Sequence, residues 1–133
     1  MNDKYFIDTN MLLYLINPNE LQKHKIIAEF IKNKNCEISI QNLKELSNIL
    51  FKKTTLSASE IKKYILNIGT KFPLCLESPT DIIDAIDLVN NKQNFYDTLL
   101  VATMLRNETY KIITENEKDF ANFKKIKVIN PFK

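Results

Sequence analysis

Short apolar segments with strand character alternate with amphipathic helical segments along this chain. The predicted strands are residues 4–8, 37–40, 74–77, 111–114 and 127–129. Consecutive strands separated by helices form largely parallel sheets with helices packed on both faces. The alternation therefore predicts an α/β fold with a central, mostly parallel sheet.

Helix boundaries are indicated by capping residues, glycine and proline. The predicted helices are approximately residues 9–16, 21–33, 42–53, 57–69, 80–89 and 95–107, with a short helical segment near 119–123. We expect Asn42 to cap the third of these helices, and Ser57 to begin the fourth. Gly69 and Pro73 are expected to end that fourth helix.

The composition is that of an ordinary globular protein, with 133 residues, 44% apolar and 26% charged side chains. This length predicts a single domain over residues 1–133. The apolar runs are too short to span a membrane, and the polar start MNDK lacks a signal peptide's hydrophobic segment, so we expect a cytoplasmic location and no membrane partner. Cys36 and Cys75 are isolated and predicted to be free, buried thiols.

Asp8 stands at the carboxyl end of the first predicted strand. In open α/β sheets the ligand crevice lies beyond the carboxyl ends of the strands, which makes Asp8 a candidate site residue. The alternative is structural, because Asp8, Thr9 and Asn10 are all good helix caps and the helix dipole favours negative charge there.

Two further acids lie near the beginning of predicted helices. Glu45 is at the edge of an apolar stripe, where a solvated surface glutamate is the alternative interpretation. Asp97 begins the helix FYDTLLVATML, which is apolar on nearly every side, so an unpaired carboxylate there is costly. The structural alternative for Asp97 is a capping box with Asn94 as the N-cap.

The fourth acidic region is the loop TENEKDF, which directly follows the strand KIIT. It contains Glu115, Asn116, Glu117 and Asp119. Charged loops are usually only solvated, but this one again leaves the carboxyl end of a strand.

Taken together, Asp8, Glu45, Asp97 and an acid of the fourth region predict a cation site. Carboxylates within about 5 Å of each other repel by about 3 kcal/mol for each pair at an effective dielectric near 20. With His24 as the only histidine and the two cysteines far apart in sequence, the chain lacks the ligands of a His/Cys zinc site. Oxygen ligands favour Mg²⁺ or Mn²⁺, and metal-assisted phosphodiester hydrolysis is the chemistry implied.

The remaining charge of the protein suits a polyanionic ligand. The net charge is +3, with 18 lysines and one arginine, and it would be +7 without the four acids. Lysines that only keep the protein soluble are an equally good explanation for any single pair of them.

The order and spacing of these segments resemble those of the PIN-domain ribonucleases, in particular toxins of the VapC type. The matching segments are FIDTN, NLKELSNIL, NFYDTLLVATML, IITENEKDF and KVINPF, which together span nearly the whole chain. The resemblance implies a three-layer α/β/α sandwich, dependence on Mg²⁺ or Mn²⁺, and endonucleolytic cleavage of RNA. It also implies a cognate antitoxin protein and a homodimer.

The resemblance assigns metal-binding and catalytic roles to Asp8, Glu45 and Asp97. At the fourth position many relatives have an aspartate where this chain has Asn116, while others pair an asparagine with an acid before the phenylalanine, as Asp119 stands here. We therefore expect Asp119 to complete the site. Thr9, Thr114 and Asn116 are expected to support it.

Two other functions compete with a metal-dependent endoribonuclease. A non-catalytic PIN-like domain that binds RNA or a protein is favoured by the asparagine at position 116. A phosphohydrolase with a phosphorylated aspartate is disfavoured, because the dehalogenase-like enzymes carry a second aspartate where this chain has Asn10.

Overall fold

The computed structural model describes residues 3–89 and 94–133; Met1 and Asn2, part of the polar N-terminal segment, and residues 90–93 lie outside the described part. Four strands form one sheet: β1 (Lys4–Ile7), β2 (Asn35–Glu37), β3 (Lys111–Ile113) and β4 (Lys127–Ile129). Their order is β2-β1-β3-β4, and every pair is parallel. The predicted parallel α/β sheet is confirmed.

Helices connect and cover these strands. They are α1 (Thr9–Ile16), α2 (Leu21–Ile31), α3 (Ile40–Lys53), α4 (Ala58–Lys71), α5 (Pro79–Leu88), α6 (Phe95–Arg106) and α7 (Glu117–Phe120), with a 3₁₀ turn at Pro18–Glu20. None of the described helices is long and apolar enough to cross a membrane.

The two faces of the sheet bury different side chains. Because successive strand residues point to opposite faces, Phe6 packs with residues of α6 and α7, while Ile7 packs with residues of α1 to α4. Ile112 and Ile113 on β3 divide in the same way. The sheet is therefore covered on both sides, as a three-layer α/β/α sandwich requires. Cys36 and Cys75 are buried and free, as predicted.

The strand predicted at residues 74–77 is wrong. Only one isolated bridge forms there, between Leu74 and Ile38, with the Cys75 amide donating to the Ile38 carbonyl at 2.7 Å. The preceding Pro73 has no N–H to donate to a ladder, and the Leu76 side chain remains exposed. The segment crosses the sheet edge instead of extending it.

Other boundaries also differ from the prediction: the second strand is Asn35–Glu37 and not 37–40, and the last helix is Glu117–Phe120 and not 119–123. Ser39, and not Asn42, is the N-cap of α3, because β2 ends at Glu37 and the helix begins earlier than its apolar stripe indicates. Gly69 does not end α4, which continues to Lys71. Gly69 has no positive φ, and a Cβ at this position would lie 3.6 Å from Leu43 Cδ1, which is an ordinary contact, so neither a cap nor close packing requires a glycine here.

Candidate active site

Asp8 follows β1 and is held by hydrogen bonds to both of its carboxylate oxygens. Oδ1 accepts from the Thr9 amide at 2.9 Å, which caps α1, and Oδ2 accepts from the Thr114 hydroxyl at 2.8 Å. The Thr114 hydroxyl in turn accepts from the Asn116 amide at 3.0 Å. Asp8 therefore caps α1 with one carboxylate oxygen, and its other oxygen is connected through Thr114 to the loop after β3.

Glu45 lies on α3 and reaches the N-terminus of α1. Its Oε1 accepts from the Thr9 hydroxyl at 2.9 Å, and that hydroxyl accepts from the side-chain amide of Asn42 at 2.9 Å. Glu45 is thus attached to the segment that carries Asp8, although the residue is exposed.

Asp97 is the third residue of α6, and its helix is capped by a neighbour. The Asn94 side chain accepts from the amides of Tyr96 and Asp97, as an N-cap does. Within the described residues, no bond from the Asn94 amide to the Asp97 carboxylate completes a capping box. Helix capping therefore explains the role of Asn94, whereas the Asp97 carboxylate makes no capping bond among the described residues.

The charges of the four candidate acids act on one another. Burial raises the pKa of Asp97 to about 6, and the negative charges of Asp119, Asp8 and Glu45 add to the increase. Burial also raises the pKa values of Asp8 and Glu45, although hydrogen bonds from threonines oppose the increase; Asp119 adds to the shift at Asp8, and Asp8 adds to the shift at Glu45. Within residues 3–89 and 94–133, none of these four acids forms an ion pair with a lysine or arginine.

Of the three acids in the fourth region, two are committed elsewhere. Glu115 accepts from Tyr14 and forms an ion pair with Lys23 at 3.2 Å. Glu117 forms an ion pair with Lys133 at 2.7 Å. Asp119 is the acid of this region whose charge raises the pKa values of Asp8 and Asp97.

A crevice of about 410 Å³ opens at this edge of the sheet. Its lining includes Asp8, Glu45 and Asp97 together with Ser39, Gln41, Asn42, Lys44, Glu77, Ile82, Phe95, Tyr96, Leu99, Leu100 and Thr103. Asp119, on α7, is not part of this lining and lines a separate pocket with residues of the loop after β3. Among the described residues, no three Asp, Glu, His or Cys side chains are close enough to hold one metal ion between them.

The family of the chain follows from comparison with known proteins. The model of the PIN domain matches residues 5–126. The chain belongs to the PIN-domain family. None of the curated proteins is a significant match to the sequence.

Solved structures share this PIN fold at low sequence identity. A toxin–antitoxin complex from Klebsiella pneumoniae superposes with a TM-score of 0.70 at 20% identity, covering 96% of this chain and 97% of the other. VapBC-1 from nontypeable Haemophilus influenzae gives 0.71 at 18%, covering 98% and 99%. VapC20 from Mycobacterium tuberculosis, described as a Sarcin-Ricin loop cleaving toxin, gives 0.69 at 15%, covering 92% and 98%.

The residues of this PIN domain fit a hard divalent cation. Their donor atoms are carboxylate oxygens, and the pKa of Asp97 is raised by burial and by three negative charges that a cation would offset. Mg²⁺ characteristically keeps several waters and is bound directly by only one or two protein carboxylates.

Several lining residues were not identified from the sequence as parts of the site. Asn42 was assigned to a helix cap, yet its side chain lies between Ser39 and Thr9 inside the crevice wall. Tyr96 precedes Asp97 and is 63% exposed, and Lys44 precedes Glu45. The sequence does place a lysine and an aromatic residue directly before two candidate acids. Their shared position in one crevice becomes visible only when the fold brings α3 and α6 together.

Proposed function

We propose that this PIN domain is a metal-dependent endoribonuclease and the toxin of a toxin–antitoxin pair of the VapC type. The observation that carries the proposal is the crevice that Asp8, Glu45 and Asp97 line together, in which Thr9 is hydrogen-bonded to both Asp8 and Glu45. The pKa of Asp97, raised by burial and by the charges of the other acids, agrees with it. Membership in the PIN family and the fold shared with VapBC proteins support the same conclusion.

In this proposal Asp8, Glu45, Asp97 and Asp119 would hold Mg²⁺ or Mn²⁺, directly or through water. Such an ion, when bound, would supply activation of water and neutralisation of charge on the leaving oxygen of the phosphodiester. Thr114 and Thr9 orient the Asp8 and Glu45 carboxylates through the hydrogen bonds described above.

The crevice also offers groups that suit RNA. Lys44 places a positive charge among the lining residues, where it can contact a phosphate. The exposed Tyr96 ring, in edge contact with Phe95 at 5.6 Å between ring centroids, can stack on an unpaired base. These residues favour single-stranded or loop RNA as the substrate.

The deciding experiment measures cleavage of synthetic single-stranded, hairpin and duplex RNAs by the purified protein. We expect cleavage of unpaired segments with Mg²⁺ or Mn²⁺ and none in excess chelator. Full activity in chelator would contradict metal dependence. Metal-independent RNA binding without cleavage would favour the non-catalytic PIN-like alternative, for which Asn116 is the sequence support.

Asp8→Asn is the matched variant for this experiment. Asparagine caps helices as well as aspartate does, so α1 should keep its cap while the site loses one negative charge. We expect cleavage to be abolished and the fold to remain intact. An unfolded Asp8→Asn protein would instead assign Asp8 a purely structural role.

The proposal includes an antitoxin and a second copy of the chain as partners. The toxin–antitoxin complexes among the structures with this fold support the former. The second copy of the chain is supported by exposed apolar residues on α5. Ile83 and Ile86 are 60% and 57% exposed and Leu88 is exposed too, whereas Ile61 and Ile68 of α4 are buried in the core. We therefore propose that α5 forms the homodimer contact.

We also expect the protein to act in the cytoplasm, where RNA and antitoxin are present.

Light scattering at micromolar concentration tests the homodimer. We expect twice the monomer mass for the parent protein and a monomer for Ile83→Glu, because a charge on the exposed apolar face opposes its burial. A monomeric parent would contradict this part of the proposal.

A further inference from the structure

A chain of side-chain hydrogen bonds runs from the N-terminus of α3 to Glu45. It passes from Ser39 to Asn42, from Asn42 to Thr9, and from Thr9 to Glu45 Oε1. Asn42 is 3% exposed and Thr9 is 5% exposed, so water does not compete freely for these groups.

The direction of this chain is fixed by a group that can only donate. The Ser39 backbone N–H lies 2.7 Å from one side-chain atom of Asn42, which must therefore be the carbonyl oxygen Oδ1. The other side-chain atom, the amide nitrogen Nδ2, then faces Thr9 Oγ1 at 2.9 Å. An amide nitrogen donates and does not accept, so the Thr9 hydroxyl is the acceptor in that bond.

The Thr9 hydroxyl has one proton of its own. Since that proton has no acceptor on the Asn42 side, it is directed to Glu45 Oε1 at 2.9 Å. The Glu45 carboxylate therefore accepts a hydrogen bond from the buried Thr9 hydroxyl, whose orientation is set by Asn42 of α3. This matters for Glu45 because the residue is exposed and its side chain has several rotatable bonds.

The same arrangement holds Asp8, with a backbone donor in place of the side chain. There the Asn116 amide donates to the Thr114 hydroxyl at 3.0 Å, and the hydroxyl donates to Asp8 Oδ2 at 2.8 Å. Two candidate acids thus each receive a threonine proton whose direction is set by a second donor.

Helix capping alone does not require an asparagine at position 42. The capping boxes of α4 and α5 have Glu60 and Asp81 at the corresponding third position, and both side chains serve the cap as acceptors. Asn42 makes the same capping bond and also offers a donor on its opposite side. That additional donor is the one that contacts Thr9.

We infer that Asn42 is a positioning residue that directs the Thr9 hydroxyl proton toward Glu45 and so holds this carboxylate ready for a divalent cation. The cation-binding part rests on the proposed function, whereas the direction of the hydrogen bonds does not. Hydrogen-bonded groups behind the ligands of metal sites typically change metal affinity by about 10- to 100-fold when they are removed.

The first measurement uses the metal-free protein and NMR of the Asn42 side-chain amide. We expect its protons to exchange slowly with solvent in the parent and in Thr9→Ser, which keeps the hydroxyl. In Thr9→Val, which removes the acceptor, exchange should accelerate by about tenfold, as expected for the loss of one buried hydrogen bond. Fast exchange in the parent, or no change in Thr9→Val, would overturn the assigned direction even if the protein proves not to be a nuclease.

The second measurement is Mn²⁺ affinity by titration calorimetry. Asn42→Ser and Thr9→Val should each weaken binding by about tenfold, and the double variant should be no weaker than either. Thr9→Ser should bind as the parent does. Because Asn42→Ser also alters a helix cap, Glu60→Ala provides a matched loss of a capping bond on α4, outside the crevice lining, and should leave affinity unchanged.

The kinetic readout separates positioning from general damage. Asn42→Ser should lower kcat at fixed subsaturating Mn²⁺ and recover at saturating Mn²⁺, with little change in KM for RNA. Independent losses that multiply in the double variant, or an equal loss of Mn²⁺ affinity in Glu60→Ala, would overturn the inference. A parent protein that binds no Mn²⁺ would refute the cation-binding part and the proposed function together, leaving the NMR result to decide the direction of the bonds.

Discussion

Asp81 and Asp97 occupy the same position in two helices that pack against each other, and their surroundings are opposite. Each is the third residue of its helix, Asp81 in α5 and Asp97 in α6. Asp81 is completely buried and accepts hydrogen bonds from the Ser78 amide, the Thr103 hydroxyl and the Arg106 guanidinium, which it contacts at 2.7 and 3.1 Å. Asp97 is partly exposed and faces three other acids.

The two pKa values move in opposite directions. Burial acts to raise the pKa of Asp81, but hydrogen bonds from Arg106, Ser78 and Thr103 outweigh it, so the pKa is lowered. Burial raises the pKa of Asp97 too, and there the neighbouring charges add to the effect, which brings it to about 6. The more deeply buried carboxylate is the more readily ionised one.

This difference shows that position in a helix does not distinguish an acid with a charge partner from an acid without one among the described residues. Arg106, the only arginine of the sequence, pairs with Asp81, so the negative charge of Asp81 is neutralised within the fold. In the proposed function, the acids of the crevice repel each other and a bound cation would offset their charge.

The largest expected effect is the loss of activity in Asp97→Asn. Removing the carboxylate at the centre of the acidic group should lower the rate of RNA cleavage by about 10³-fold, since it takes away a group that holds the cation. Single-turnover cleavage with Mg²⁺ measures the rate, and circular dichroism checks that the fold is retained. Activity within tenfold of the parent would remove Asp97 from the site.

Arg106→Met should have the largest effect on stability. It leaves Asp81 buried without its charge partner, which we expect to lower the free energy of unfolding by about 3 kcal/mol. Urea denaturation measures this, and cleavage per folded molecule should remain near the parent value. The double variant Asp81→Leu/Arg106→Met should recover part of the loss, and a single-variant loss below about 1 kcal/mol would show that the pair is not needed for stability.

Asp119→Asn and Asn116→Ala test which residue completes the acidic group. Asp119 carries a charge that acts on Asp8 and Asp97, whereas the contact from Asn116 to this network is made by its backbone amide, which Asn116→Ala retains. We therefore expect Asp119→Asn to slow cleavage by about 10²-fold and to weaken Mn²⁺ binding, and Asn116→Ala to cost less than tenfold. A larger loss in Asn116→Ala would leave the site with three carboxylates.

Much of the fold was predictable because it depends on local patterns. Strands β1, β3 and β4 and the helix order follow from apolar periodicity, and Ser57 and Asn94 are the caps that their sequences indicate. The strand predicted at 37–40 was placed too late, because β2 is Asn35–Glu37 and α3 begins at Ile40. The strand at 74–77 was wrong because its apolar residues look like a strand while Pro73 and the sheet edge allow only one bridge. The start of α3 was misplaced because Ser39 and Asn42 form a capping box together, and both residues are good caps.

The site was less predictable, because its partners come from distant parts of the chain. Asp8 and Asp119 were identified because they follow the carboxyl ends of predicted strands. Asp97 was identified because its helix is apolar on nearly every side. The link from Asn42 through Thr9 to Glu45 joins residues of α1 and α3 separated by more than thirty positions. The pairing of Asp81 with Arg106 spans 25 positions, and no local pattern distinguishes it from an acid without a partner.

The smallest expected effect, and the most direct test of the comparison, is the pH dependence of stability in chelator. The pKa of Asp97 is about 6 in the folded protein against 3.8 ordinarily, so the folded state binds more protons than the unfolded state between these values. The contribution of Asp97 to the free energy of unfolding therefore falls as the pH rises through this window. The Asp97→Asn variant does not lose stability in this way. Its free energy of unfolding should therefore be higher than that of the parent above pH 6 and equal to it near pH 4. The full shift corresponds to roughly 3 kcal/mol, which partial exposure reduces to about 1–2 kcal/mol.

Asp81→Asn should show the opposite sign in the same urea titrations. Its lowered pKa means that Asp81 contributes stability above 3.8, the ordinary value, and that this contribution is lost as the pH falls through the folded-state value. The variant should therefore be less stable than the parent at pH 7, and the difference should shrink in acid. Adding Mg²⁺ at pH 7 should stabilise the parent more than Asp97→Asn, because only the parent keeps all four acids for the cation, while Asp81→Asn should gain as much as the parent does. Equal pH profiles for Asp97→Asn and Asp81→Asn would mean that the two carboxylates share one environment, and the division between a balanced structural acid and an unbalanced site acid would fail.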